Sequence, residues 1–336
     1  MISKFQRIGK GERAGMAGET LSGPPYDVVI VGGGPAGFTA GIYAARASLK
    51  TLAIAGETTL SQITVTDLIE NYPGIPEGIN GFDLMERFKA QAVRFGLETA
   101  SGDVSEMVKA RLGDHEGWEV VAGDKRHGAL AVIIATGANW RRLGVPGEER
   151  FIGKGVSFCA TCDGPFYKNR EVAVVGGGDT AIQEALYLTR FAKKVTVIHR
   201  RDRLRATKIL QERAFANGKI AFAWNSVVEA IDGLDLVQEV RLKDIKTGGF
   251  RTLPVSGIFV FVGLLPNTAP FRGLVAMDQG GYITTDANMQ TSVPGIFAAG
   301  DCTAKRLRQV VTACGDGATA AFSAQLYVEE LKGEAY

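Results

Sequence analysis

The chain has 336 residues, too many for one hydrophobic core of ordinary size, so two domains are expected. A hydrophobic content of 46% can fill both, and a net charge of +2 excludes a protein organised around nucleic acid or an acidic membrane surface. Four cysteines in this length exclude a disulfide scaffold, and no run of about 18 apolar residues is present to cross a membrane as a helix.

Residues 1–25 carry Lys4, Arg7, Lys10 and Arg13 but no apolar stretch long enough for a secretory leader, so they read as a flexible extension. Met16 is a second possible initiator within it. The apolar, β-branched run Asp27–Val31 predicts a buried parallel strand. It enters Gly32-Gly33-Gly34-Pro35-Ala36-Gly37, followed by a helical stretch with Phe38, Ile42 and Ala45 on one face. Strand, G-x-G-x-x-G and helix start together form a dinucleotide fingerprint. Gly32 makes the turn, Gly34 admits a pyrophosphate close to the backbone, and Gly37 lets helix and strand pack. The helix N-terminus supplies positive partial charge to the phosphates. At the end of the second strand, where an acidic residue would hold a ribose, stand Ala55 and, two residues on, Glu57. The copy closes with the apolar strand Val132–Thr136, then Gly137, with Thr136 and Gly137 expected to line the cofactor.

Next comes Cys159-Ala160-Thr161-Cys162, followed by Asp163 and Gly164. Such a pair is redox-active or half of a zinc site. The remaining Cys302 and Cys314, and the scattered His115, His127 and His199, offer no second pair of ligands, so no metal is expected. The fingerprint then recurs: strand Glu171–Val175, the G-x-G-x-x-A turn Gly176-Gly177-Gly178-Asp179-Thr180-Ala181, and a helix carrying Ile182, Ala185 and Leu186. Here the second strand ends in His199, Arg200 and Arg201, with Arg205 one helical turn on. No carboxylate is present at that slot, and these cationic or donor groups suit a 2′-phosphate, so this copy is expected to bind NADPH. It closes with Ile258–Val262 and Gly263. The reading is α/β with two Rossmann-like dinucleotide-binding domains. A dithiol placed between two such sites is the layout for passing electrons from a nicotinamide, through a flavin, to a disulfide.

The Cys159–Gly164 run, the flanking glycine motifs, His199-Arg200-Arg201-Asp202 with Arg205-Ala206, Glu70–Gly74, Thr291–Asp301 and Arg308–Ala313 resemble the low-molecular-weight thioredoxin reductases over residues 26 to about 330. The resemblance implies FAD in the first fold, with Gln62, Asn71, Gly300, Asp301, Arg308, Gln309 and Val310 around it, and a homodimer. It implies an NADPH domain inserted in the FAD domain: 26–136 and 269–336 for FAD, 137–268 for NADPH and the redox disulfide. It implies that Cys162 is the flavin-facing sulfur. Leu60-Ser61 replaces two glycines common in the family before Gln62, and Cys302 and Cys314 stand where small residues are usual. They read as small buried thiols, with a second redox pair as the alternative.

Asp163 is placed to take and return the proton of a departing thiol, and Pro165-Phe166-Tyr167 offers either core or partner surface. The redox pair and the second glycine turn share one inserted domain and must reach the same flavin. This predicts an alternating rotation, with hinges near Gly137 and Gly263. The expected enzyme is an NADPH-dependent, cytoplasmic thioredoxin reductase. Alternatives are the same chemistry on another redoxin or a peroxiredoxin system, a flavoprotein that reduces ferredoxin, which has no need of Cys159 and Cys162, and a non-catalytic flavin redox sensor.

Overall fold

The computed structural model describes residues 21–57, 62–65, 69 and 71–334. In chain order the first fold contains β1 (Tyr26–Val31), α1 (Pro35–Arg46), β2 (Thr51–Ala55), α2 (Gly81–Arg94) and β3 (Glu98–Ser101). The antiparallel strands β4 (Val104–Leu112) and β5 (His115–Ala122) follow, and β6 (Lys125–Ile134) returns to the centre. After β7 (Ala138–Trp140) and β8 (Val156–Ser157) the chain makes the short α3 (Ala160–Asp163). The second fold continues through β9 (Glu171–Val175), α4 (Asp179–Leu188), β10 (Lys194–Ile198), α5 (Lys208–Ala216) and β11 (Ile220–Ala223). A three-stranded antiparallel layer, β12 (Ser226–Gly233), β13 (Val237–Asp244) and β14 (Phe250–Pro254), precedes β15 (Gly257–Val260). The chain then crosses back through β16 (Leu264–Pro266) to β17 (Ile296–Ala298) and the long α6 (Val310–Lys332).

The two parallel sheets repeat one plan. In the first, the order runs β3-β2-β1-β6, with β17 also on β6; in the second it runs β11-β10-β9-β15-β8. The strand that opens each copy lies beside the strand that closes it: Val31 pairs with Ile134, and Val175 with Val260. Val28 and Ile30 face α1, α2 and α6 in one core, whereas Val29 and Val31 face Met107, Trp118 and Val120 on the other side. The second sheet packs α4 and α5 on one face and β12–β14 on the other. Both faces are covered, which is why the strands read as continuous apolar runs.

Two strand limits differ from expectation. The closing strand of the first copy starts earlier, because the polar segment Lys125–His127 pairs with β5; that of the second stops at Val260. The N-terminal extension is not free to its end. Residues 1–20 lie outside the described residues, but Ser22 exchanges hydrogen bonds with Arg126 (2.8 and 3.0 Å), Lys50 Nζ donates to the carbonyls of Pro24 and Pro25, and Leu21 packs on the core.

The folds meet through a two-stranded ribbon. β7 and β16 pair antiparallel, Trp140 opposite Leu264 and Ala138 opposite Pro266. Gly137 (φ +67°) and Gly263 (φ +119°) flank it in backbone conformations that L side chains rarely adopt, with open space where a Cβ would be. Asn267 closes it, its N–H donating to Gly137 O (3.0 Å) and its Nδ2 to Thr136 O (2.9 Å).

Candidate active site

The first glycine turn is forced by contact distances. Gly32 has φ +126°, and a Cβ there would sit 2.2 Å from the Ala135 carbonyl oxygen; at Gly37 it would sit 2.0 Å from Gly32 O. Both collisions are with backbone, so no side-chain rearrangement relieves them. Gly34, Pro35 and Ala36 then start α1, whose first amides have no acidic side chain to cap them and lie open to a phosphate. The second turn repeats the geometry with Gly176 at φ +150°. Its third glycine is replaced by Ala181, whose methyl fills the space a Cβ on Gly176 would need.

The middle glycine of each turn explains what stands at the end of the second strand. A Cβ on Gly33 would lie 2.7 Å from the Ala55 Cβ, and one on Gly177 would lie 2.4 Å from the His199 ring. The His199 side chain therefore turns inward, under the loop, and is only 6% exposed. Burial lowers its pKa, opposed by a hydrogen bond to the Arg203 backbone and aided by the charges of Arg205, Arg201 and Arg200. Nor is there a helical turn between Arg201 and Arg205: residues 199–207 form a loop, and α5 begins only at Lys208. This loop is clamped to the glycine turn. Arg205 N–H donates to Gly177 O (2.7 Å), Ala206 N–H donates to the same oxygen, and Thr207 N–H donates to Asp179 Oδ1 (2.6 Å). Arg200, Arg201 and Arg205 are left exposed on this loop.

On the first fold, residues distant in sequence converge where α6 starts. Gly300 N–H donates to Asp316 Oδ2 (3.0 Å), which also pairs with Lys305. Asp301 follows in a short turn, and its Oδ1 is buried with no partner. Burial pushes its carboxyl up, opposed by Lys305 and Arg308. Arg308 lies over the Tyr282 ring (4.3 Å), and its Nε is likewise buried and unpartnered, as is Thr136 Oγ1 beside Gly137. Asn71 Nδ2 donates to Gln309 Oε1 (2.9 Å), and Gln309 caps α6 just before Val310. Buried polar atoms without partners are rare in a folded protein. Here three of them, an acceptor, a donor and a hydroxyl, belong to residues expected around a flavin dinucleotide, and the glycine cradle leaves backbone room for its phosphates. The donor set fits FAD. The side chain of Gln62, and Leu60, Ser61 and Glu70, lie outside the described residues.

The redox turn belongs to the second fold. Cys159 is half-buried and disulfide-bonded; its N–H donates to Ser157 Oγ (3.1 Å), and its Sγ lies 3.3 Å from Thr161 Oγ1. The side chain of Cys162 lies outside the described residues. Asp163 N–H donates to Cys159 O (3.1 Å), and the Asp163 charge helps push Tyr167 up to about 12, after burial. Tyr167 packs edge-on against Phe259, whereas Phe166 is 61% exposed and belongs to the surface. α3 lies along α4, the helix whose N-terminus forms the second glycine turn, with Gly164 against Leu188, Phe191 and Tyr187.

The second redox pair is not formed. Cys302 and Cys314 are free thiols in different cores: Cys302 is fully buried among the residues facing β4 and β5, and Cys314 lies under α1 near Pro35 on the helical side. Burial pushes Cys302 up to about 11 and raises Cys314 as well, so neither is a ready thiolate. Sequence reasoning also passed over Lys305 and Asp316, and Asn267, whose partners Thr136 and Gly137 are remote in the chain.

The family described as pyridine nucleotide-disulphide oxidoreductase matches residues 26–317. The thioredoxin reductase of Listeria innocua is 52% identical over 91% of this chain and 95% of its own length, and that of Bacillus subtilis 49% over 91% and 96%. Among solved structures, the thioredoxin reductase of Streptococcus pyogenes (47% identity, TM-score 0.80) covers 91% of this chain and 98% of its own. That of Lactococcus lactis, described as in its FR conformation (46%, TM-score 0.68), covers 91% and 100%.

Proposed function

The chain belongs to the pyridine nucleotide-disulphide oxidoreductase family, and from that premise we infer that it is the NADPH-dependent flavoprotein that reduces the disulfide of thioredoxin through Cys159 and Cys162. The observation that carries this is the placement of a disulfide-bonded Cys159 on a turn packed against the very helix that opens the second dinucleotide site. FAD, when bound, accepts a hydride from NADPH and hands the electron pair to a disulfide. Gly32, Gly34, Pro35, Ala36 and Gly37 hold its pyrophosphate, Asp301 and Thr136 accept or donate to its sugar chain, and Asn71, Gln309 and Arg308 line the ring side. Gly176, Gly178, Asp179 and Thr180 receive the NADPH pyrophosphate. Asp163 takes up and returns the proton of the leaving thiol, and exposed Phe166 offers apolar contact to thioredoxin.

Cys159→Ser or Cys162→Ser should abolish NADPH-dependent thioredoxin reduction while FAD stays bound and NADPH still bleaches the flavin, because that step uses no sulfur. Substantial thioredoxin turnover by either variant would sink the reading.

We further propose that two copies associate. Tyr43 on α1, Phe82 and Val93 on α2, and Phe322 and Leu326 on α6 are exposed on the helical layer of the first fold, an apolar surface that a second copy would cover. Sedimentation equilibrium should give twice the 35.8 kDa chain mass; a single-chain mass at micromolar concentration would refute it. No described helix is long and apolar enough to cross a membrane, and a reductant-supplied cytoplasm is the compartment we propose.

A further inference from the structure

The turn that carries Asp301 meets two other segments of the chain at one place. Gly300 has φ +76°, and a Cβ on it would lie 2.9 Å from the Ala36 Cβ, so the turn rests on the start of α1, where the first glycine cradle ends. Gly317 on α6 approaches the same residue, with only 2.2 Å between a Cβ there and the Ala36 carbonyl oxygen. Beside Gly317, Asp316 makes two contacts with one oxygen. Its Oδ2 accepts the Gly300 N–H (3.0 Å) and pairs with the Lys305 ammonium. The side chains of Lys305 and Asp316 are only 16% and 19% exposed, so this pair is little weakened by solvent.

Lys305 lies in the segment 303–309, which joins the Asp301 turn to α6. One carboxylate on α6 therefore ties down both the turn before this segment and the segment itself. The shape of the turn has its own support, because the Thr303 N–H and Oγ1 both donate to Gly300 O (3.1 and 2.8 Å). What Asp316 and Lys305 add is placement relative to α6. At the start of α6, Gln309 caps the helix and accepts from Asn71. Asp301 on one side and Gln309 with Asn71 on the other are the groups assigned above to the sugar chain and the ring side of one cofactor.

We propose that Asp316 and Lys305 are positioning residues for FAD: they hold Asp301 at a fixed distance from the start of α6 and thereby set how tightly the cofactor is bound. The inference deepens the flavoprotein reading given above and rests on it. Two physical effects support it. A site held in its binding geometry before the ligand arrives loses less freedom on binding. A carboxylate in a poorly solvated place beside an anionic dinucleotide is tolerable only if its charge is matched, and Lys305 matches it.

The test uses purified wild-type, D316A, D316N and K305M enzymes. Each is dialysed to equilibrium against a series of FAD concentrations to obtain the dissociation constant, and its melting temperature is recorded at each concentration. D316A loses both contacts and should raise the dissociation constant for FAD about tenfold, the loss of one charge-assisted hydrogen bond. K305M loses only the tie to the connecting segment and leaves Asp316 unmatched; it should raise the constant about threefold. D316N still accepts the Gly300 N–H and should recover part of the D316A loss. The gain in melting temperature on adding FAD should shrink in the same order. A merely structural pair would lower the melting temperature equally at every FAD concentration and leave the dissociation constant unchanged. Wild-type FAD affinity in D316A or in K305M overturns the inference, and K305M decides alone if D316A does not fold. If the wild-type chain itself binds no FAD, the flavoprotein reading fails and takes this inference with it.

Discussion

At the scale of single residues, cofactor choice turns on which charges are left unpaired. The loop after β10 carries four charged side chains in its first stretch, Arg200, Arg201, Asp202 and Arg203. Its carboxylate is drawn away: Asp202 pairs with Lys246 (3.1 Å), and that contact, with the lysine charge, holds it below the usual carboxylate range. Among the described residues no ion pair holds Arg200 or Arg201, and His199 is buried beneath the glycine turn. The result is a surface with positive charge, planar donors and no competing acceptor, which favours a phosphate over a free ribose hydroxyl. Each charge-assisted bond is worth about 1.5–3 kcal/mol. Arg200→Ala with Arg201→Ala should raise the KM for NADPH roughly ten- to a thousandfold, with a much smaller effect on NADH. A double variant that still prefers NADPH would show that the phosphate is bound elsewhere.

At the scale of elements, what can be read in the sequence is what is local. β1, the first glycine turn and α1 declare themselves within some twenty residues, and β9 with α4 repeats the pattern. Apolar period, turn chemistry and helix start agree there, so little else could form. The closing strands are legible as apolar runs, but their limits are not, because partners decide them: β6 gains the polar segment Lys125–His127 from its pairing with β5. His199 shows a different failure. Its residue type suggests a phosphate ligand, yet the absence of a Cβ on Gly177 opens a space that the imidazole fills. Only the three-dimensional proximity of Gly177 reveals it. The turn Gly300–Cys302 is fixed by Asp316 on α6 and Lys305, and α6 reaches α1 because Gly317 has no Cβ to strike the Ala36 carbonyl, which would lie 2.2 Å away. None of these contacts leaves a periodic trace, and the approach of Gly317 to Ala36 joins opposite ends of the chain.

At the scale of the molecule, the question is how one flavin serves two clients housed in the same inserted fold. The ribbon of β7 and β16 is the covalent crossing between the folds, and Gly137 and Gly263 give it backbone freedom at the points where rotation would be absorbed. The solved reductases of Streptococcus pyogenes and Lactococcus lactis are equally related to this chain, at 47% and 46% identity, and cover it equally, yet superpose with TM-scores of 0.80 and 0.68. Equal kinship with unequal global overlap is what rigid folds turned differently about a crossing would give. We propose that the inserted fold rotates to bring NADPH and the disulfide to the flavin in turn. Thioredoxin poises at about −270 mV, so the cycle runs without a large free-energy gap, and both orientations must lie within a few kcal/mol of each other. Cross-links separate the alternatives. A tether that fixes NADPH against the flavin should preserve flavin reduction and stop thioredoxin turnover. A tether that fixes the disulfide against the flavin should do the reverse, blocking reduction by NADPH while a chemically reduced flavin still passes its electrons to the disulfide. Simple damage would impair both half-reactions in both forms, so the reciprocal pattern is diagnostic. If either locked enzyme ran the full cycle at the normal rate, both clients would have simultaneous access, and the glycine-flanked ribbon would be a linker rather than a hinge.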